Sequence, residues 1–156
     1  MNTEQIGIGY REWFYSSPFD IGQTTLSAFQ PLKDEMVEAE FTKSIYATVE
    51  EFNQESASNG SLMRCTPLSV WGCDLSVEDL QKASDADVSF THSHVIVKRA
   101  VFAYHLGIKY LLNNPLEKDR ARKAFEFVKE ISKGFEETID NGSYKETYKQ
   151  SVQEWL

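Results

Sequence analysis

Apolar residues recur at spacings of three and four along most of this chain, and runs that alternate apolar with polar at every second position are hard to find. A spacing of three and four places apolar side chains on one face of an α-helix, whereas a half-buried strand needs a period of two. The pattern predicts an all-α chain with helices over about 3–15, 21–29, 33–54, 61–70, 77–83, 95–113, 117–138 and 144–156. The punctuation agrees. Ser76 precedes Val77 with Asp79 three positions on, a weakened capping box, and Asn113-Asn114-Pro115 stops one helix before the next. Asn141-Gly142-Ser143 marks a further break. No repeat, low-complexity tract or Pro- or Gly-rich linker divides the chain, so a single layered helical domain over 1–156 is expected.

The individual helices differ in the face they offer. From Val95 to Leu112 apolar residues fall on nearly every side, which predicts a central buried helix. Ala121, Ala124, Phe125, Val128, Ser132 and Phe135 instead form one stripe with charged residues elsewhere, which predicts an outer helix. Glu35, Glu38, Glu40, Glu50 and Glu51 read as the solvated face of the 33–54 helix.

Composition narrows the function classes. A chain of 156 residues is near the modal size of one domain and buries roughly two-thirds of its unfolded surface. At 41% apolar and 26% charged it matches soluble globular proteins rather than disordered or membrane ones. The net charge of -8 argues against holding a nucleic-acid backbone, although one Arg and a few backbone N–H groups can still capture a small anion. Cys65 and Cys73 fit neither a zinc spacing nor a disulfide framework and read as reduced thiols. Met1 to Tyr10 carries no basic or apolar leader pattern, so a cytoplasmic location is expected.

Three segments carry side chains able to do chemistry. In Ser58-Asn59-Gly60-Ser61-Leu62-Met63-Arg64, small polar residues lead directly into an apolar helix. Gly60 allows close backbone approach, and Asn59 and Ser61 offer hydrogen bonds. The helix-start N–H groups favour a diphosphate, and Arg64 adds a charge one turn in. The same residues also read as a turn with a helix cap. In Asp87-Val88-Ser89-Phe90-Thr91-His92-Ser93-His94, two histidines flank Ser93, the expected cap of the 95–113 helix. Either they bond to neighbouring loops or they meet a ligand at the mouth of that helix. In Pro18-Phe19-Asp20-Ile21-Gly22-Gln23-Thr24-Thr25, Asp20 reads as an N-cap or as an oxygen ligand for a hard divalent cation beside Thr24 or Thr25.

Taken in this order, the segments resemble the ADP-ribosylglycohydrolase superfamily, which includes the dinitrogenase-reductase-activating glycohydrolases and the J1 crystallins. Asn59-Gly60-Ser61-Leu62-Met63-Arg64-Cys65-Thr66-Pro67-Leu68 is similar to the family's Asn-Gly-small-x-Met-Arg-x-x-Pro-Leu signature. Thr91-His92 follows at the expected distance, and Tyr10 to Thr25 looks like the branch with Asp-Ile-Gly-Asn-Thr-Thr. The likeness covers about 10–113. It implies an all-α fold, ADP-ribose or an ADP-ribosylated protein as ligand, and a pair of magnesium ions that help open the bond between the ribose anomeric carbon and a protein side chain. Carried over by position, Asn59, Gly60 and Ser61 line the diphosphate and ribose, Arg64 belongs to the same site, His92 contacts the same ligand, and Asp20 corresponds to the first Asp of the family's Thr-Asp-Asp-Thr metal motif.

The metal set departs from the family's. Ile21 and Gly22 stand where the second Asp and following Thr belong, and magnesium demands near-octahedral oxygen ligation. The resemblance also implies a chain incomplete at both ends, starting after a Gly-Asp-x-x-Gly opening and stopping before a Gly-Gly-Asp-Thr-Asp-Thr motif. Two functions follow as expectations: hydrolysing or binding ADP-ribose linked to protein side chains, or a catalytically inactive structural or interaction subunit that keeps the scaffold within a larger assembly. A helical bundle cut at both ends leaves apolar surface, which predicts a protein partner or a second copy.

Overall fold

The computed structural model describes residues 1–32 and 36–133. Among the described residues the chain forms eight helices and no strand: α1 (Thr3–Tyr15), α2 (Gln23–Phe29), α3 (Glu38–Phe52), α4 (Gly60–Arg64), α5 (Thr66–Trp71), α6 (Val77–Val88), α7 (Val95–Asn113) and α8 (Arg120–Ser132). The all-α reading holds. The start of α1 is fixed by Asn2, whose Oδ1 accepts from the N–H groups of Glu4 and Gln5 at 3.1 and 3.2 Å. Past its end, Ser17 takes a left-handed φ of 57° and turns the chain towards α2. Ser76 caps α6 as expected, accepting from Asp79 N–H at 3.0 Å.

Several boundaries differ from the pattern-based ones, for physical reasons. The expected 61–70 helix is two short helices meeting at Cys65. Pro67 has no N–H to return to the Met63 carbonyl and its ring crowds that carbonyl, so it opens α5 rather than continuing α4. Helix α6 runs on to Val88 instead of stopping at 83, because Ser84 and Asp87 are buried on the same face as Leu80, Ala83 and Val88. Polar residues on a core face conceal the apolar period.

Helix α2 starts at Gln23 with Gly22 as N-cap, so Asp20 does not cap it. Helix α7 is capped by His94 rather than Ser93: His94 Nδ1 accepts from Ile96 N–H at 3.1 Å, while Ser93 Oγ donates to the Val49 carbonyl at 3.3 Å. Helix α8 begins at Arg120, after Asp119 at a φ of 56°, and turns Phe127, Val128 and Ile131 to the core while Phe125 faces solvent. Phe135, the break at 141–143 and the 144–156 helix lie outside the described residues, as do residues 33–35 of the expected 33–54 helix.

Two packing groups result. Helices α1, α2 and α3 enclose Phe29, Phe41, Ile45, Val49 and the inserted Phe90, with Tyr10 stacked on Phe29 at 5.1 Å between ring centroids. Gly7 lets α1 and α3 approach closely: a Cβ there would lie 2.5 Å from Thr42 Oγ1. Helix α7 is the hub of the second group, packed by α4, α5, α6 and α8, with Val97, Val101, Phe102 and Leu106 buried. Its central position matches the expectation, though Tyr104 and Leu112 reach solvent. The 89–94 segment joins the groups. Phe90 plugs the first core, and Asn53 Nδ2 donates to the carbonyls of Thr24 and Thr91, each at 2.9 Å.

Candidate functional site

Helix α1, the 20–25 segment and the 58–64 segment enclose a cleft of about 780 Å³. Asp20, Thr24, Thr25, Ser58, Asn59 and Gly60 line it as polar or backbone surface, and Ile6, Trp13 and Met63 contribute apolar surface. Of the residues singled out from sequence, Asp20, Asn59, Gly60 and Arg64 thus share one cleft. Ser61 and His92 do not line it.

Arg64 borders the cleft, but its guanidinium is committed to partners within the protein. Nη1 pairs with Asp87 Oδ2 at 2.6 Å and also donates to the Tyr10 hydroxyl. Nη2 donates to the Asp87 carbonyl at 2.8 Å and to Thr91 Oγ1 at 2.9 Å. The guanidinium carbon lies 5.1 Å from the Tyr10 ring centroid, a cation–π contact. Burial, with Asp87 adding, pushes the Tyr10 hydroxyl well above its ordinary value, so it stays protonated. This arrangement holds α1, α4 and the end of α6 together. With α4 only five residues long, its dipole adds little field for an anion.

His92 is fully buried and sits one residue behind the cleft wall. Its Nε2 is 2.8 Å from Ser58 Oγ and its Nδ1 2.8 Å from Thr91 Oγ1. Burial first, and the nearby Arg64 second, push its pKa down to about 4, so the ring is neutral at pH 7. Any influence on a ligand passes through Ser58, which lines the cleft and is itself 3.1 Å from Thr24 Oγ1. Ser61 is fully buried, and its hydroxyl has no partner among the described residues. A Cβ on Gly60 would lie 3.4 Å from His92 Cε1 and 3.6 Å from Thr25 Oγ1, ordinary contact, so alanine fits there without disturbing the wall.

The magnesium that the resemblance implies finds a poor donor set. Among the described residues Asp20 is the sole carboxylate lining the cleft, and no three His, Cys, Asp or Glu side chains converge. One carboxylate with scattered hydroxyls does not supply near-octahedral oxygen ligation for an ion that needs it. The described residues do not fit the ion.

Sequence reading had Tyr10, Asp87 and Ser58 within its candidate segments but gave none of them a role in this site. Asp87 lies 23 positions beyond Arg64, and nothing local marks the two as partners. Ser58 stood in view at the head of the 58–64 segment without a role of its own, because its bond to the histidine behind it shows only in the fold.

The described residues form an all-α fold with a cleft of small-ligand size, and among them one acidic side chain and several hydroxyls line it. A model of the ADP-ribosylglycohydrolase family matches residues 3–155, nearly the full length, and the chain belongs to that family. No curated protein and no solved structure matches it.

Proposed function

We propose that this chain binds ADP-ribose, free or attached to a protein side chain, in the cleft between α1, α2 and α4. The observation that carries the reading is the convergence of Asp20, Thr24, Ser58, Asn59 and Gly60 on one cleft in a member of this family. Its volume lies in the range of small-ligand sites. Trp13 and Met63 offer apolar surface for a planar base, and the hydroxyls and the Asn59 amide offer hydrogen bonds to the rest of the molecule.

Binding is favoured over autonomous hydrolysis because the metal donor set is incomplete among the described residues. The competing reading, hydrolysis of ADP-ribosyl bonds, is supported by family membership and by Asp20 in the cleft wall. Release of ADP-ribose from peptides modified on Arg or Ser, by the full chain with Mg²⁺, would decide for it. Two unpaired thiols, one buried, support a reducing compartment such as the cytosol.

Calorimetric titration with ADP-ribose tests the proposal. The wild-type chain is expected to bind, Asn59→Ala to bind about tenfold more weakly, and Gly60→Ala to keep its thermal stability while losing affinity. A wild-type chain that takes up no ADP-ribose, or an Asn59→Ala chain with unaltered affinity, would place the ligand elsewhere.

A further inference from the structure

We propose that Ser58 is a ligand-recognition residue held as a hydrogen-bond acceptor by a buried relay from Arg64 through Thr91 and His92, so that its edge of the cleft takes sugar hydroxyls rather than phosphate oxygens. This rests on the ADP-ribose reading and assigns the ribose to that edge. The direction of the relay follows from counting donors and lone pairs.

A carbonyl oxygen has two lone pairs, and that of Val88 already accepts the backbone N–H groups of Thr91 at 3.0 Å and of His92 at 2.9 Å. The Thr91 hydroxyl, 3.5 Å from the same oxygen, is a weak third claimant. Thr91 Oγ1 accepts from Arg64 Nη2 at 2.9 Å, and a guanidinium has nothing with which to accept in return. The one proton of Thr91 therefore goes to His92 Nδ1 at 2.8 Å.

A neutral imidazole carries a single N–H, so the His92 proton is on Nε2 and is donated to Ser58 Oγ at 2.8 Å. Burial together with the Arg64 charge keeps the ring neutral. The geometry between Ser58 and Thr24 has Ser58 as the donor, at 3.1 Å. Ser58 has then given its proton to Thr24 and one lone pair to His92, and what it retains for the cleft is an acceptor. A phosphate oxygen also accepts and gains nothing there. A ribose hydroxyl donates and fits. Asn53 holds the backbone carbonyls of Thr24 and Thr91, so the relay's Thr91 and the Thr24 that accepts from Ser58 are positioned by one buried side chain.

His92 is a positioning residue, and its tautomer is its signature. Long-range ¹H–¹⁵N spectra of the full chain are expected to show His92 protonated on Nε2 alone at pH 7. An Nδ1–H ring would reverse the relay and overturn the proposal. In titrations, Ser58→Ala, at an exposed position whose hydroxyl is bonded to His92 Nε2, is expected to weaken ADP-ribose and ribose 5-phosphate about five- to tenfold while His92 stays buried and neutral. The same variant should leave the response to inorganic pyrophosphate as in the wild type. Equal loss of pyrophosphate affinity would make Ser58 a phosphate contact and overturn the assignment. If the wild type binds ribose 5-phosphate but not ADP-ribose, the ADP-ribose reading fails and this one stands; if it binds neither sugar ligand, both fall.

Discussion

His92 and His105 show how one residue type is put to two uses in the same core. His92 is bonded at both ring nitrogens and faces a cleft residue; His105 bonds Ser69 Oγ through Nδ1 at 2.7 Å, while its Nε2 has no partner among the described residues. Burial, chiefly, pushes both pKa values down to about 4. In the unfolded chain both return to about 6.5. Between those values the unfolded chain binds more protons, so stability is complete above about pH 6.5 and falls as pH drops towards 4. At pH 5 the loss is roughly 2 kcal/mol per histidine. Urea unfolding at pH 7.5 and pH 5 would measure it, and equal midpoints at the two would contradict the depressed values.

At this scale the sequence singled out residues without the surroundings that the fold gives them. Asn59, Gly60 and Asp20 meet in the cleft, whereas Ser61 and His92 sit beneath it. Arg64 reads from its neighbours as a charge waiting for an anion, yet its partner is Asp87. An ion pair formed across 23 positions leaves no local trace. Burial also keeps Cys65 as an inert thiol, its pKa raised by desolvation and by Asp87.

Helix identity was legible, and helix ends were legible where the cap is local. Helices α1 and α7 begin and end where the periodicity puts them, because apolar spacing and flanking polar residues agree. Helix α6 was read five residues short because buried Ser84 and Asp87 count as polar in any pattern, and only the packing shows them inside. The α1–α3 contact is likewise invisible in sequence, since a glycine in a helix carries no sign of what it touches. Gly7→Ala adds a methyl 2.5 Å from Thr42 Oγ1, whose hydroxyl is held by the Thr3 carbonyl at 3.0 Å. The intrinsic gain in helix propensity, about 1 kcal/mol, is outweighed by overpacking of about 1–3 kcal/mol. The variant is expected to unfold at lower denaturant, while Gly9→Ala, with open space around it, should be neutral or stabilising. A more stable Gly7→Ala would mean that the two helices separate at little cost.

Across the whole molecule, apolar side chains remain uncovered in more than one place. Met63 is 79% exposed, Phe19 is fully exposed, and adjacent Val70 and Trp71 on α5 are each more than half exposed. Such surface supports the partner anticipated from sequence, which is proposed here as a second copy of the chain. Sedimentation is expected to give a mass above the single-chain 17.9 kDa, and Trp71→Glu to return the chain to that mass. A wild-type monomer at micromolar concentration would speak against self-association.

What the sequence determined by itself was the helical class, the hub helix and the family, because these depend on local periodicity and on residue order. Tertiary structure alone decided that His92 is bonded to Ser58, that Arg64 pairs with Asp87, and that among the described residues Asp20 is the only carboxylate in the cleft wall. Each of those depends on burial and on distances between residues remote in the chain, quantities that appear only once the helices have packed.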